Sequence, residues 1–220
     1  MPDLFFVLSR LKEGSDVTEE TYTDFYDNEH LPDMVAYRPK VCDVAVRYRK
    51  RIVNAAAEAP ETFPHLALYP TEDVKALIES GQEGPAEKTR HVKLLGGRDV
   101  YEFAEFQPRI CVRLTSHESP SKRDNDGSWP RTLIVLYTSL TDPRLSGAMD
   151  GTKGHLRSTL YKQINGILGE MVIGEFDCAP DEVEADKALL SLRRMFQTRL
   201  DCTIDVFELQ KVVGDSKARL

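Results

Sequence analysis

The sequence has little of what most metal and cofactor sites require. Its 220 residues include four cysteines, and none belongs to a Cys-x-x-Cys pair or adjoins a histidine cluster, so a zinc site is not expected. It has no G-x-G-x-x-G or P-loop sequence for a nucleotide, and no H-E-x-x-H or G-x-S-x-G catalytic motif. The sequence therefore predicts a protein that works without a metal or other cofactor.

Positive charge and long apolar runs are also scarce. The formal net charge is −7, and the densest basic segment, RYRKR (Arg47 to Arg51), is interpreted as the outer end of a strand rather than an anion site. Nucleic acid is therefore not an expected partner. No apolar run approaches the roughly eighteen residues of a membrane helix, and the N-terminal segment lacks the features of a signal peptide. We expect a cytoplasmic protein that contacts no membrane.

Two similar patterns of elements follow one another along the chain. The β-rich runs LFFVLSRL (Leu4 to Leu11) and LIVLYTSL (Leu133 to Leu140) each precede a segment interpreted as helical, EHLPDMVAY in the first pattern and GHLRSTLYK in the second. Strands, a second helix (71–80 and 184–199) and a closing strand follow, the first closing strand being DVYEFAEF. In the second pattern the third strand is not evident, and it is either lost or irregular.

The repeated β-α-β-β-α-β order predicts an α+β fold of two tandem ferredoxin-like units. Such a unit has one uncovered sheet face, so two units are expected to pack sheet to sheet as a pseudo-dimer. We place the first unit at residues 1–114, a linker at 115–130 and a second, degenerate unit at 131–220. The linker is rich in Ser, Asp, Asn, Gly and Pro, and its Trp129 is expected to be exposed. The chain is predicted to be a monomer with pseudo-dimeric halves or a homodimer.

The segment TYTDFYDNEHLPDM, residues 21–34, supplies the candidate site. Tyr22, Tyr26 and His30 are each four residues apart, so they share one line of a helix. The helix is expected to begin with a capping box at Asp16 and to end just before Pro32. A core-facing helix line normally carries Leu, Ile or Val, and polar groups in that position must find partners. The alternative is structural: buried tyrosine rings with hydroxyls at the rim, and a histidine that caps backbone.

The strand HLALYP adds polar residues that could face this helix line. His65, Ala67 and Tyr69 alternate to one face, while the leucines between them take the other. If the first face looks toward the helix, the two lines enclose a cavity with two imidazoles and three phenols. That combination suits proton transfer on an aromatic or enolic substrate. The alternative for His65 is a half-buried strand end.

The motif FYDNEHLPDM, followed by a strand and then HLALYPTEDV, resembles the EthD-like branch of the dimeric α/β-barrel superfamily, and in particular its double-length fungal members. The resemblance implies a cofactor-free fold with a pocket between helix and sheet. Relatives include decarboxylases, cyclases and dehydratase-like enzymes of aromatic polyketide pathways, and cofactor-independent monooxygenases. The resemblance places the histidine of the family's helix motif at His30. Two departures, His65 where many relatives have Trp and Pro70 where they have Asp, put the substrate class in doubt.

The leading hypothesis is a lyase or isomerase that acts by proton transfer on a small hydrophobic secondary metabolite such as a polyketide. His30 would be the general acid or base, and Tyr26 would hydrogen-bond the developing oxyanion. The residues assigned to substrate binding are Tyr22, His65, Tyr69 and Met34. The alternatives are a cofactor-free monooxygenase acting on an electron-rich aromatic, and a protein that binds small molecules without turnover.

The second half is expected to lack this chemistry. Its GHLR sequence places His155 opposite His30, but Gly147 and Gly151 stand at the positions that match the two helix tyrosines. Glycine weakens a helix by about 1 kcal/mol relative to Ala. We therefore expect the first unit to hold the site.

Overall fold

A computed structural model describes residues 2–37, 42–51, 62–74, 76, 89–119, 128–138, 147–165, 169–184, 186–187, 190–191 and 202–214. The strands are β1 (Asp3–Leu11), β2 (Val44–Lys50), β3 (His65–Thr71), β4 (His91–Val92), β5 (Arg98–Asp99), β6 (Ala104–Glu118), β7 (Thr132–Thr138), β8 (His155–Gln163), β9 (Glu170–Phe176) and β10 (Cys202–Gly214). The helical segments are α1 (Glu19–Phe25), a π-helical turn (Tyr26–His30), α2 (Leu31–Ala36), a 3₁₀ turn (Lys93–Leu95), α3 (Val100–Phe103) and α4 (Pro180–Glu184). The helices predicted at 71–80 and 184–199 lie mostly outside the described residues.

The chain forms two compact units. One comprises Met1–Tyr48, Ala56–Pro108 and Gln210–Leu220, and the other comprises Arg49–Ala55 and Arg109–Leu209. The predicted division at residues 115–130 stays a prediction, although β6 runs on into the first part of that stretch.

The first unit holds a sheet in which hydrogen-bonded neighbours follow the order β6-β1-β3-β2-β10. β1 and β3 are antiparallel, with Phe5 opposite Tyr69, Val7 opposite Ala67 and Ser9 opposite His65. Nearly every residue of these two strands is buried, on both faces of the sheet. This fits the apolar runs Leu4 to Leu8 in β1 and Leu66 to Leu68 in β3.

The second unit follows the order β10-β7-β9-β8-β6, and the neighbouring pairs β10–β7, β7–β9, β9–β8 and β8–β6 are antiparallel. Its core contains Ile134, Leu136, Met149, Leu160, Val172, Phe176, Val183 and Val206. The segment GHLRSTLYK, predicted to be helical, is β8 instead. Its glycine Gly154 has φ +73°, which breaks any helix there, and Leu156, Ser158 and Leu160 alternate with the period of a strand.

This correction supplies the strand that was not identified in the second half of the sequence. β8 and β9 are its two middle strands, and the stretch from Asp177 to Glu184 is a turn followed by α4. The prediction of a lost or irregular strand was wrong because β8 had been assigned to a helix. The tandem ferredoxin-like pseudo-dimer itself is not established by these strand orders.

Two smaller expectations were also wrong. The segment DVYEFAEF, predicted as a strand, starts with the four-residue helix α3, because the Asp99 carboxylate accepts a hydrogen bond from Tyr101 N at 2.9 Å and caps it. Trp129, expected to be exposed, is only 4% exposed. Cys42, Cys111 and Cys178 are buried reduced cysteines, in line with their apolar surroundings.

No helix in the described part of the chain is both long and apolar enough to cross a membrane.

Candidate functional site

The helix that carries the site begins and ends differently from its prediction. Thr18 caps α1, and its Oγ1 accepts a hydrogen bond from Thr21 N at 3.2 Å, while Asp16 forms an ion pair with Arg98 at 2.9 Å. The helical path continues through Pro32 to the end of α2. The predicted cap at Asp16, two residues earlier, was wrong, because the Asp16 carboxylate pairs with Arg98 and the Thr18 hydroxyl accepts from the helix N-terminus instead.

The helix passes Pro32 because a π-helical turn precedes it. The Leu31 N–H bonds to the Tyr26 carbonyl, five residues earlier rather than four. The proline then lies in the first turn of α2, where its missing N–H costs little. Single π-helical turns within helices are rare and are frequent at functional sites. Here the turn spans residues 26–30 and so sets the direction of the histidine.

The three helix residues of the predicted line are in successive ring contact. The ring centroids of Tyr22 and Tyr26 are 5.2 Å apart, and those of Tyr26 and His30 are 4.9 Å apart, both edge to face. From the strand, the His65 ring lies 5.2 Å from Tyr22 and the Tyr69 ring lies 6.4 Å from His30. The polar face of β3 therefore looks toward the helix, as the alternation indicated, and the structure brings all five side chains together.

A cavity of about 60 Å³ lies at the His30 end of this row. Three of the six predicted site residues line it, His30, Met34 and Tyr69. The predicted catalytic residue Tyr26 and the predicted binding residues Tyr22 and His65 are buried beside the cavity but are not part of its wall. Their assigned roles in catalysis and binding stay predictions.

Most of the cavity wall was not identified from the sequence. The additional lining residues are Phe5, Val7, Phe25, Val100, Tyr101, Phe106 and Pro108. Phe5, Val7 and Ser9 alternate along β1 and so face the same side of the sheet. This two-residue period could have identified Phe5 and Val7 from the sequence. The residues from α3 and the start of β6 were missed because the sequence placed a straight strand there.

The side chains that line the cavity provide no net charge near neutral pH. Burial lowers the pKa of His30 to about 4, although a hydrogen bond with the Thr89 backbone and the charge of Asp33 act in the opposite direction. Burial also raises the pKa of Tyr26 to about 12 and the pKa of Tyr69 well above its usual value. The site thus presents a neutral imidazole, which can accept a proton, and neutral phenols, which can donate hydrogen bonds.

Two acidic side chains near the five rings, Glu29 and Asp27, form hydrogen bonds or ion pairs with other parts of the unit. The Glu29 carboxylate accepts hydrogen bonds from Lys93 N at 2.7 Å and Leu94 N at 2.6 Å, and so caps the 3₁₀ turn. Asp27 forms a two-pronged ion pair with Arg47, at 2.7 and 2.8 Å. Arg47 belongs to the basic segment RYRKR, and it is buried against this carboxylate. These contacts hold the π-helical turn against its surroundings.

Several polar atoms of these five ring side chains, and of the neighbouring Ser9, make no ordinary hydrogen bond among the described residues. Among the described residues, no hydrogen bond of standard geometry uses Ser9 Oγ, the hydroxyls of Tyr22, Tyr26 and Tyr69, His30 Nδ1 or His65 Nδ1, and all of these atoms are inaccessible to solvent. Native proteins leave only a few such atoms unpaired per hundred residues. Six of them lie together where the helix residues face β1 and β3.

In the second unit, His155 lies at the start of β8 rather than on a helix, and Gly151 has φ +80°. The His155 Nε2 atom lies 2.7 Å from Ser158 Oγ, and its Nδ1 lies 3.4 Å from an Asp150 oxygen. A separate polar cavity of about 460 Å³ in this unit is lined by Arg131, Lys153, Gly154, His155, Leu156, Asp177, Cys178 and Glu182. The structural match predicted between His155 and His30 was therefore wrong.

The described residues contain no cluster of three or more His, Cys, Asp or Glu side chains that could hold a metal ion.

No protein-family model matches the chain, and no curated protein matches its sequence. Several solved structures match nearly its whole length. A proposed monooxygenase from Fusobacterium nucleatum subsp. nucleatum has a TM-score of 0.52 at 7% identity, over 97% of this chain and 95% of the other. A proposed monooxygenase from Lactobacillus acidophilus has a TM-score of 0.51 at 7% identity, over 96% of both chains. A proposed chlorite dismutase is a weaker match, with a TM-score of 0.44 at 13% identity.

At 7% identity the likeness concerns the fold alone. It supports a fold of the dimeric α/β-barrel type, as expected from the sequence. The narrower EthD-like and fungal assignments have no support from these matches.

Proposed function

We propose that the protein is a cofactor-independent monooxygenase that acts on a small, neutral, electron-rich phenol in the first unit. The observation that carries the proposal is the neutral His30 imidazole at the wall of a mostly apolar cavity that Tyr69 also lines, with the two ring centroids 6.4 Å apart. The names of two of the matching structures, both called monooxygenases, favour oxygenation. The motif FYDNEHLPDM adds support through its resemblance to EthD-like proteins.

The cavity favours a substrate without charge, because its apolar wall would have to desolvate any ion. At about 60 Å³ it holds only the reacting part of a substrate, since a cavity of about 150 Å³ accommodates benzene. The rest of the molecule would lie against Tyr101 and Pro108, which are exposed at the cavity edge.

The reaction starts when His30 removes the proton from the substrate hydroxyl, and Tyr69 donates a hydrogen bond to the resulting phenolate oxygen. The phenolate ring gives electrons to dioxygen and forms a carbon–oxygen bond. The peroxide oxygen then takes the proton from His30. Loss of the ring C–H proton breaks the O–O bond and leaves a ring carbonyl, and the departing hydroxide takes that proton as water. One phenol and one O₂ thus give one quinone and one water.

The test is oxygen uptake by the purified protein with a panel of hydroquinones and polycyclic phenols, using ¹⁸O₂. One labelled atom is expected in the product and one in water. His30→Ala should lower kcat by about 10²-fold or more, the usual size of a general-base effect. His155→Ala, in the second unit, is the matched control and should cost far less. Equal losses in the two folded variants would refute the assignment of the chemistry to the first unit.

A second candidate is the lyase or isomerase expected from the sequence, because the same neutral imidazole suits proton transfer alone. Turnover that continues without oxygen and incorporates no label would favour it over oxygenation. Binding without turnover, unchanged by His30→Ala, would instead indicate a protein that sequesters small hydrophobic molecules.

A further inference from the structure

The cavity of the second unit is larger than that of the first, and the proposed function gives it no role. Its volume of about 460 Å³ lies within the range of small-molecule sites in proteins, roughly 300–1,000 Å³. The wall combines the residue before β7, the start of β8 with the two residues before it, the two residues after β9 and one residue of α4. β9 lies between β7 and β8 and is antiparallel to both, so these strand ends meet at one edge of the sheet.

Hydrogen bonds between neighbouring segments hold this wall in place. Asp177 N donates to the Gly154 carbonyl at 3.0 Å, and Cys178 Sγ donates to the Lys153 carbonyl at 3.4 Å. Thr132 Oγ1 donates to the Cys178 carbonyl at 2.8 Å. The shape of the cavity is therefore set without a ligand, as is usual for small-molecule sites.

Four charged side chains line the cavity, and two of them have no charged partner. Lys153 and Glu182 form an ion pair with each other. Arg131 and Asp177 are both exposed, and neither makes an ion pair with any residue that the structure describes. One positive and one negative side chain of the same wall are therefore left uncompensated.

The lack of an ion pair between Arg131 and Asp177 is unexpected from the strand register. Thr132 of β7 stands directly opposite Phe176 of β9. Arg131 and Asp177 come one place further along, so they are the next positions to face each other across these two strands. Opposite charges at facing positions attract each other and stabilise a sheet. Here both side chains line a cavity instead, which leaves both charges available to a ligand.

We propose that this cavity binds a small zwitterion, a molecule with one carboxylate and one ammonium group, such as a free amino acid. The Arg131 guanidinium binds the carboxylate with two parallel N–H donors, the arrangement that its planar shape favours. The Asp177 carboxylate binds the ammonium group. The site is independent of the chemistry proposed for the first unit.

The charges of the wall favour a zwitterion over a simple ion. Its two positive and two negative side chains balance, and burial lowers the pKa of His155, so this ring adds little charge near neutral pH. Burial also raises the pKa of the Cys178 thiol, so Cys178 and Leu156 form a neutral part of the wall. A simple anion would be attracted by Arg131 but repelled by Asp177, and a simple cation would meet the reverse. A zwitterion has a favourable partner for each of its charges.

The first test measures binding to the full chain by NMR, from the amide shifts of ¹⁵N-labelled protein. The zwitterions are glycine, β-alanine, 4-aminobutanoate and L-leucine, which differ in charge separation and side chain, and acetate and ethylamine supply each charge alone. At least one zwitterion should bind with a Kd below about 1 mM, and both single ions should bind at least about tenfold more weakly. If no zwitterion reaches that affinity, or if acetate or ethylamine binds as tightly as the best of them, the proposal is wrong.

The second test removes one charge at a time. Arg131→Gln and Asp177→Asn keep side chains of similar size, and each should raise the Kd of the best zwitterion by about tenfold or more. Both side chains are exposed, so both variants should fold, which circular dichroism checks. Arg113→Gln is the matched control, because it removes an exposed arginine of the same unit that does not line the cavity. Unchanged binding in either cavity variant, or an equal loss in the control, would refute the assignment.

Discussion

Replacement of His30 by glutamine should remove a large part of the protein's sensitivity to mild acid. The pKa of His30 is about 4 in the folded protein, against 6.5 for an ordinary histidine, because burial disfavours the imidazolium. As pH falls from 6.5 toward 4, the unfolded chain takes up a proton at this residue and the folded protein does not. Stability is therefore complete above about pH 6.5, falls through that window, and changes no further from this group below about pH 4.

The size of the effect follows from the two pKa values. Their difference corresponds to about 3 kcal/mol of unfolding free energy, and partial solvent access to the ring makes this an upper value. Carboxylates titrate in the same range, so the wild-type curve alone does not isolate the histidine. The useful quantity is the difference between wild type and His30→Gln, which has a neutral side chain of similar length.

The assay is urea unfolding followed by circular dichroism at about pH 7 and about pH 4.5. The difference at neutral pH measures the change in packing, since both side chains are then uncharged. Between the two pH values, the wild type should lose about 2–3 kcal/mol more than His30→Gln. If both proteins lose the same amount, His30 titrates like an exposed histidine, and the inference that burial lowers its pKa is wrong.

Two further variants test the supports of the site and the second unit by the same unfolding assay. Asp27→Ala should destabilise the protein by about 3–5 kcal/mol, because it leaves the Arg47 guanidinium, only 4% exposed, without its carboxylate. A cost below about 1 kcal/mol would show that this pair does not hold the π-helical turn in place. Gly154→Ala should cost about 1–3 kcal/mol, because its φ of +73° is unfavourable for Ala and the added Cβ would lie 2.5 Å from Cys178 Sγ. Wild-type stability in this variant would mean that the turn before β8 can shift freely.

The sequence could predict those parts of the candidate site in which a helical or strand spacing sets the direction of the side chains. The four-residue spacing of Tyr22, Tyr26 and His30, and the two-residue alternation of His65 and Tyr69, placed five side chains on facing surfaces, and all five are in ring contact. Local periods survive folding because they follow from the geometry of helix and strand. These periods give the direction of a side chain but not how deeply it is buried. They could not tell which side chains border the cavity and which lie beside it.

The failures come from features that short sequence patterns cannot represent. Pro32 suggested a helix end because the pattern contains no sign of a π-helical turn. The likeness between EHLP and GHLR suggested two equivalent helices, yet Gly151 and Gly154 adopt positive φ values and the second histidine begins a strand. Ser9 was overlooked because a single serine in an apolar strand is unremarkable until its cross-strand neighbour is known. Each error was resolved by a contact distant in sequence.

The π-helical turn also bears on how this chain can be aligned with its relatives. Such a turn is equivalent to one extra residue inserted in an α-helix, and each residue of an α-helix rotates the chain by about 100°. A relative without the insertion would reach the same spatial position one residue earlier, so its counterpart of His30 would be offset by one place in an ungapped comparison. A one-residue gap between Tyr26 and Leu31 would correct the offset, and motif searches that forbid gaps would overlook such relatives.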